Sequence, residues 1–351
     1  MTKITHLEPV SGLSWSVFRG ERAEVMRCLG EEHADEIHSF RHLPGGSWEA
    51  QVRRADGVAA DRLDAVIAST RALLPLESQE LAWIAEGAGI PEREIWARNL
   101  RGDLGRDGTG CSDMAFVTGS GAVMGHNEDG DGELHEKIRL VTLDIEGDPA
   151  LTAVWYPGML PSNAFVTTEA GLTFGMDHVP VVTACTAGAG RHLVARHAQR
   201  QVTGDAARAT LSEVPCAGGF AFDVADAAGR VDLIENAAGR VEAASGRHRH
   251  TNHLRLLDGT RDGLAVPEDD PWLRESRSRL RALEAACATP ADAEDVFAAL
   301  RAPGVLGRSE DLWTSVTAVV ETAADEVLVQ GSGPRWRGRL SAFARGERVQ
   351  L

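Results

Sequence analysis

The sequence contains no run of about 18 apolar residues, so nothing in it reads as a membrane-spanning helix. Its first fifteen residues, MTKITHLEPVSGLSW, lack the apolar stretch of a secretory signal, and a cytoplasmic location is expected. Basic residues are scarce. Lys and Arg together number 36, with lysine only at Lys3 and Lys137, against 52 Asp and Glu, for a net charge of −16. Nucleic acid and anionic membranes both reward basic patches, so neither is an expected partner. The acidic field keeps the chain soluble and favours a neutral or cationic small substrate. Cysteine is scarce as well: Cys28, Cys111, Cys185, Cys216 and Cys287 are odd in number, widely spaced and without a CxxC pair. That pattern is neither a disulfide framework nor a zinc knuckle, and it fits a reducing compartment. No internal repeat and no low-complexity segment is present.

What is present is the composition of a globular enzyme, 351 residues long with 43% hydrophobic and 25% charged residues. The length suits one large domain or two ordinary ones. The first hundred residues read as mostly helical. Residues 61–75 show apolar spacing of helical period up to Pro75, residues 76–90 repeat it up to Gly87 and Gly89, and residues 92–100 lead into a glycine-rich connector, RGDLGRDGTG. After Cys111 the texture changes to short strands. Residues 114–117 and 122–125 flank a TGSG turn, and strands follow at 138–145, 151–156, 164–176, 219–244 and 315–331. Helices are expected at 190–201, 204–214, 271–288 and 290–302. Runs of helices alternating with runs of strands predict a layered α+β fold rather than a parallel doubly wound sheet.

Two polar motifs invite a metal reading. In HNEDGDGE (126–133), Asn127, Asp129, Asp131 and Gly132 fall on calcium-loop positions, but Ile138 stands where the bidentate Glu belongs, and the flanks read as strands. A polar turn between two strands is the expected structure; a third reading directs Asp129 back at the cysteine one hairpin away. In RHRHTNHL, His248, His250 and His253 could ligate zinc, but no further ligand completes the set. No metal and no cofactor is assigned. Asn252 in that segment is a neutral donor of the kind that stabilises an oxyanion.

Cys111 stands apart from the other four cysteines, which read as structural. Glycines at 108 and 110 permit backbone geometry that a Cβ would forbid. A strained Gly–Cys peptide is what an N-to-S acyl shift needs. After cleavage the new chain would begin at Cys111, with its thiol as nucleophile and its own α-amine as base.

The ordered motifs ELAWIAEGAGI, ARNLRGDL, GCSDMAF, GHNEDGD, TEAGLTFGMD, VADAAGRVDLIE, HTNHL and SRSRLRAL resemble the acyl-coenzyme A:isopenicillin N acyltransferase family of N-terminal-nucleophile (Ntn) hydrolases, which includes carcinine and β-alanyl-dopamine hydrolases. The resemblance runs over roughly residues 75–335. It implies a four-layer αββα sandwich with two antiparallel sheets between helical layers. It also implies autocleavage between Gly110 and Cys111 into an α chain of residues 1–110 and a β chain of 111–351. It assigns Cys111 as nucleophile, Asp129 to orient the amine or scissile peptide, and Asn252 to the oxyanion hole. Asn127, Asp177 and Ser315 would line the substrate site, and Arg101 and Asp103 would shape the connector. Asp113, and Asp177 where asparagine is common, depart from the family pattern. The expected partner is a small-molecule amide or acyl donor, with a cationic amine as one possibility. The expected assembly is an α/β heterodimer from one chain, with room for a higher oligomer. Hydrolysis is favoured over coenzyme A-dependent N-acyl transfer, because no phosphate-cradling loop or basic patch is present. A histidine-ligated metal hydrolase and a non-catalytic binding protein are the rival readings.

Overall fold

A computed structural model of the chain describes residues 2–351 apart from 44–45, 105–109, 120, 131, 133–134, 163, 261–262 and 310–311. The α+β expectation holds, and the strands form two sheets. The larger has the order β1 (Lys3–Val10), β2 (Leu13–Gly20), β5 (Arg139–Ile145), β6 (Leu151–Trp155), β7 (Val166–Thr168), β8 (Leu172–His178), β9 (Gly219–Asp226), β10 (Val231–Ala237) and β11 (Arg240–Ser245). The smaller has the order β12 (His248–His250), β3 (Ser112–Val117), β4 (Ala122–Gly130), β13 (Trp313–Glu321), β14 (Glu326–Gln330) and β15 (Trp336–Arg339). Pairing is antiparallel except between β2 and β5. That parallel pair needs a long crossover, and the intervening chain supplies the N-terminal helices and the β3–β4 hairpin.

The sheets face one another. A Cβ on Gly175 of β8 would overlap the Asp113 carboxylate and the Met124 methyl from β3 and β4. Helices α1 (Arg22–Glu32) and α8 (Gly204–Glu213) cover the outer face of the larger sheet, and α9 (Pro271–Ala286) and α10 (Ala293–Leu300) cover the smaller. The result is four layers. The middle strands of both sheets are therefore covered on both faces, which is why β4, AVMGHNEDG, is buried along its whole length despite five polar or glycine positions at its end.

Two sequence expectations need correction. The first twenty residues are a hairpin at the edge of the larger sheet rather than helix. Ser11 and Gly12, both at positive φ, make its turn, and Leu13, Trp15 and Val17 alternate with Ser14 and Ser16 at the strand period. Residues 126–130 are the second half of β4 and not a turn. They pair with β13 over Trp313–Ala318, where an extra residue, Ser315, bulges out of the ladder.

Candidate active site

Side chains on a strand alternate between faces, so the registers of β3 and β4 decide what Cys111 meets. Ser112 pairs with Asn127, and Asp113 with His126. One face carries Met114, Phe116 and Val123 against Leu283, Val296 and Leu300 of α9 and α10. The other carries Cys111, Asp113, His126 and Glu128 toward the larger sheet. Cys111 precedes β3 and is 6% exposed. Its Sγ lies 3.5 Å from Glu128 Oε2.

The backbone of Cys111 is held by residues far along the chain. Strand β12 runs antiparallel to β3 with His250 opposite Asp113, and continuing that ladder brings residue 252 beside residue 111. Asn252 Oδ1 accepts from the Cys111 N–H at 2.9 Å, and its amide nitrogen donates to the His178 carbonyl at 2.9 Å. Arg279 donates to the Cys111 carbonyl, to Ser112 Oγ at 3.1 Å and to Asn252 Oδ1 at 2.8 Å, and Glu275 braces it from one turn back. Helix α9 begins at Asp270, whose carboxylate caps Trp272 and Leu273, followed by Pro271 at the first helical position. Its buried stripe, Leu273, Ser276, Leu280 and Leu283, follows the helical period and carries Arg279 inward with it.

Asp129 sits on the α9 side of β4, 3.8 Å from Arg279. Burial raises its carboxyl to about 7, against the opposing pull of Arg279 and a hydrogen bond from Thr314. Burial also pushes the Cys111 thiol up, and the Glu128 charge adds to that.

Behind the thiol lies a buried ionic network. Glu128 accepts from the Tyr156 hydroxyl, the chain's one tyrosine, and from His126 Nε2 at 3.0 Å. His126 Nδ1 meets Asp113 Oδ1 at 2.8 Å. Burial opposes the imidazolium, but the Asp113 charge and hydrogen bond outweigh it and hold His126 well above its ordinary range. Asp113 itself is pushed up by burial and by the neighbouring Asp177. Further in, His250 bridges Asp177 at 2.6 Å and Glu235 at 3.2 Å, and His248 pairs with Asp223.

The metal readings fail on geometry. His248, His250 and His253 go to different partners, the last to Ser276 Oγ at 2.8 Å. The calcium-loop residue Asn127 spends its amide on the Leu300 carbonyl at 2.7 Å and the Thr317 hydroxyl at 2.8 Å, and Asp131 lies outside the described residues. Cys111, His126 and Glu128 approach within 4.8 Å of one another, as do Asp113, His126 and Asp177. Both ring nitrogens of His126 already face carboxylates, so the grouping is an ion-pair network.

The sequence-level site divides accordingly. Cys111, Asn252 and Asp129 all meet the guanidinium of Arg279. Asn127 faces α10, so the expectation that it lines the site is corrected: its amide ties β4 to the end of that helix. Asp177 is sealed between the sheets against His250. Ser315 Oγ is buried at the β13 bulge without a hydrogen-bond partner. Asp103 is buried and accepts from the backbone of Arg191 and Gly218. Sequence reasoning missed Arg279, Glu128, His126 and Tyr156. An arginine on the apolar stripe of α9 was the one available signal.

A family model described as acyl-coenzyme A:6-aminopenicillanic acid acyl-transferase matches residues 117–304, more than half of the chain. The chain belongs to this family. Membership places it among enzymes of the acyl-transfer kind that the family is described by. The match includes Asp129, Tyr156, Asn252 and Arg279 and begins six residues after Cys111. Among solved structures, a variant of conjugated bile acid hydrolase from Clostridium perfringens aligns with a TM-score of 0.45 at 10% identity, over 68% of this chain and 95% of that one. Penicillin V acylase from Agrobacterium tumefaciens aligns with a TM-score of 0.40 at 10% identity, over 68% and 88%. No curated protein matches. Among the described residues no helix is long and apolar enough to cross a membrane.

Proposed function

We propose that this member of the family is a self-processing cysteine amidohydrolase. The observation that carries the reading is the clamp on Cys111, whose N–H and carbonyl are held by Asn252 and Arg279 with Asp129 alongside. The Cys111 thiol adds to the Gly110 carbonyl carbon. The Gly110–Cys111 C–N bond breaks, the nitrogen leaves as an α-amine, and a thioester joins Gly110 to Sγ. Water hydrolyses the thioester to the Gly110 carboxylate and a free thiol.

In the resulting enzyme the α-amine, with a reference pKa of about 7.7–8.0, takes the thiol proton. Asp129 and Asn252 orient it. The thiolate attacks a substrate amide, the oxyanion is held by Arg279, the Asn252 amide and a backbone N–H, and as the C–N bond breaks the α-ammonium returns its proton to the departing amine. Water then releases the acyl group from sulfur. A preorganised oxyanion donor contributes about 3 kcal/mol. A cavity of about 120 Å³ reaches Asn252 and is lined by Pro180, Leu254, Val266 and Leu273, with Glu268 and Arg277 among its walls. His253 and Thr260 add to the polar side of that lining, so it suits an acyl group with both apolar and polar parts. Transfer from an acyl thioester to an amine is the second reading, favoured by the family description.

The test is the intact mass of the denatured protein. Two fragments split between residues 110 and 111, with Cys111→Ala left whole, support the proposal. A folded wild type that stays one chain overturns it. Acyl transfer separates from hydrolysis by whether an added amine captures the acyl group.

A further inference from the structure

Self-cleavage poses a proton problem. Before the cut, the nitrogen of Cys111 is a peptide N–H donating to Asn252. It has no basic lone pair, so the amine that serves the finished enzyme cannot begin the reaction that creates it. The thiol is buried and held protonated, so another group must accept its proton. Asp129 lies on the opposite face of β4 with Arg279. His126 has both ring nitrogens engaged with carboxylates, Nδ1 with Asp113 and Nε2 with Glu128. Glu128 Oε2, in contrast, is 3.5 Å from Sγ on the same face. The carboxylate is fixed from two sides, by Tyr156 on Oε1 and His126 on Oε2, so it cannot swing away from the thiol.

The geometry points to Glu128 as the base that takes the Cys111 thiol proton in the intact chain, with Tyr156 and His126 holding it in position. This rests on the self-processing reading. The step balances. The thiol proton passes to Glu128 Oε2 as the sulfur lone pair bonds to the Gly110 carbonyl carbon. When the C–N bond breaks, the proton on Glu128 goes to the departing nitrogen, and Glu128 returns to the carboxylate. Once the α-amine exists, Glu128 is no longer the needed base, so its role belongs to maturation.

The experiment follows conversion of freshly purified intact chain into two fragments by denaturing mass spectrometry, for wild type, Glu128→Gln and Glu128→Asp, with thermal melting of each. Glu128→Gln is expected to melt near the wild type and to cleave about 100-fold more slowly, in the range a positioned base supplies. Glu128→Asp, which keeps the charge but draws it back by one methylene, is expected to fall between. Cleavage of a folded Glu128→Gln chain within about threefold of the wild type overturns the proposal. Should Glu128→Gln fail to fold, Glu128→Asp decides alone: slowed cleavage supports the role and unchanged cleavage overturns it. A wild type that never cleaves defeats the self-processing reading itself, a result distinct from a wild type and a Glu128→Gln chain that cleave alike.

Discussion

The guanidinium of Arg279 occupies the space that a side chain at Gly110 would need. It also donates to the Cys111 carbonyl, one residue further on. The bond proposed to be cut therefore lies under a cation brought in from α9, and the absence of a Cβ at residue 110 is what lets that cation approach.

Gly110→Ala is expected to displace Arg279 from Cys111. Overpacking of this kind costs about 1–3 kcal/mol. Chemical denaturation should report the loss, and denaturing mass should show the variant accumulating uncut. A Gly110→Ala chain that cleaves at the wild-type rate would detach Arg279 from the reaction.

Arg279→Met should be more damaging. It removes the cation facing Asp129 and Glu275 and leaves a buried carboxylate without its partner, a loss of about 3–5 kcal/mol. Asp129 should then be protonated to higher pH. Melting as a function of pH would show the Arg279→Met chain regaining part of its lost stability in acid.

Asn127→Ala separates architecture from chemistry. Its amide holds the α10 carbonyl of Leu300 and accepts from Thr317, and leaving those groups buried and unpaired costs about 1–3 kcal/mol. The expected result is a lower melting temperature with an unchanged cleavage rate per folded molecule. A selective loss of cleavage would return Asn127 to the site.

His250 predicts an alkaline weakness. Burial opposes its charge, but the hydrogen bonds it donates to Asp177 and Glu235 outweigh that and raise it from 6.5 to about 10. A raised group stabilises fully below its unfolded value and loses that contribution as pH rises through the folded value. The protein should therefore lose stability progressively between pH 6.5 and about 10. His250→Gln should be less stable at neutral pH but flatter across that window. Equal slopes in the two chains would refute the assignment.

Local patterns made much of the fold legible. The TGSG hairpin, the helical stripes of α9 and α10, and the strand texture after residue 111 all follow from periodicity and turn chemistry acting over a few residues. The N-terminal hairpin was legible in the Ser11–Gly12 turn and the alternation after it, but short neighbouring helices masked it. The stretch 126–130 misled because its polar residues look like a turn, whereas their burial comes from layers supplied by other parts of the chain.

What the sequence determined by itself is the Gly110–Cys111 junction, the run of motifs around it and the alternation that builds two sheets. What the tertiary structure decided is which charges meet. Adjacent residues on a strand face opposite ways, so the β3–β4 register sends Glu128 to the thiol and Asp129 to the arginine. That arginine arrives from 168 residues along the chain, a distance over which no local pattern carries information and only the packing of α9 on the sheet sets the contact.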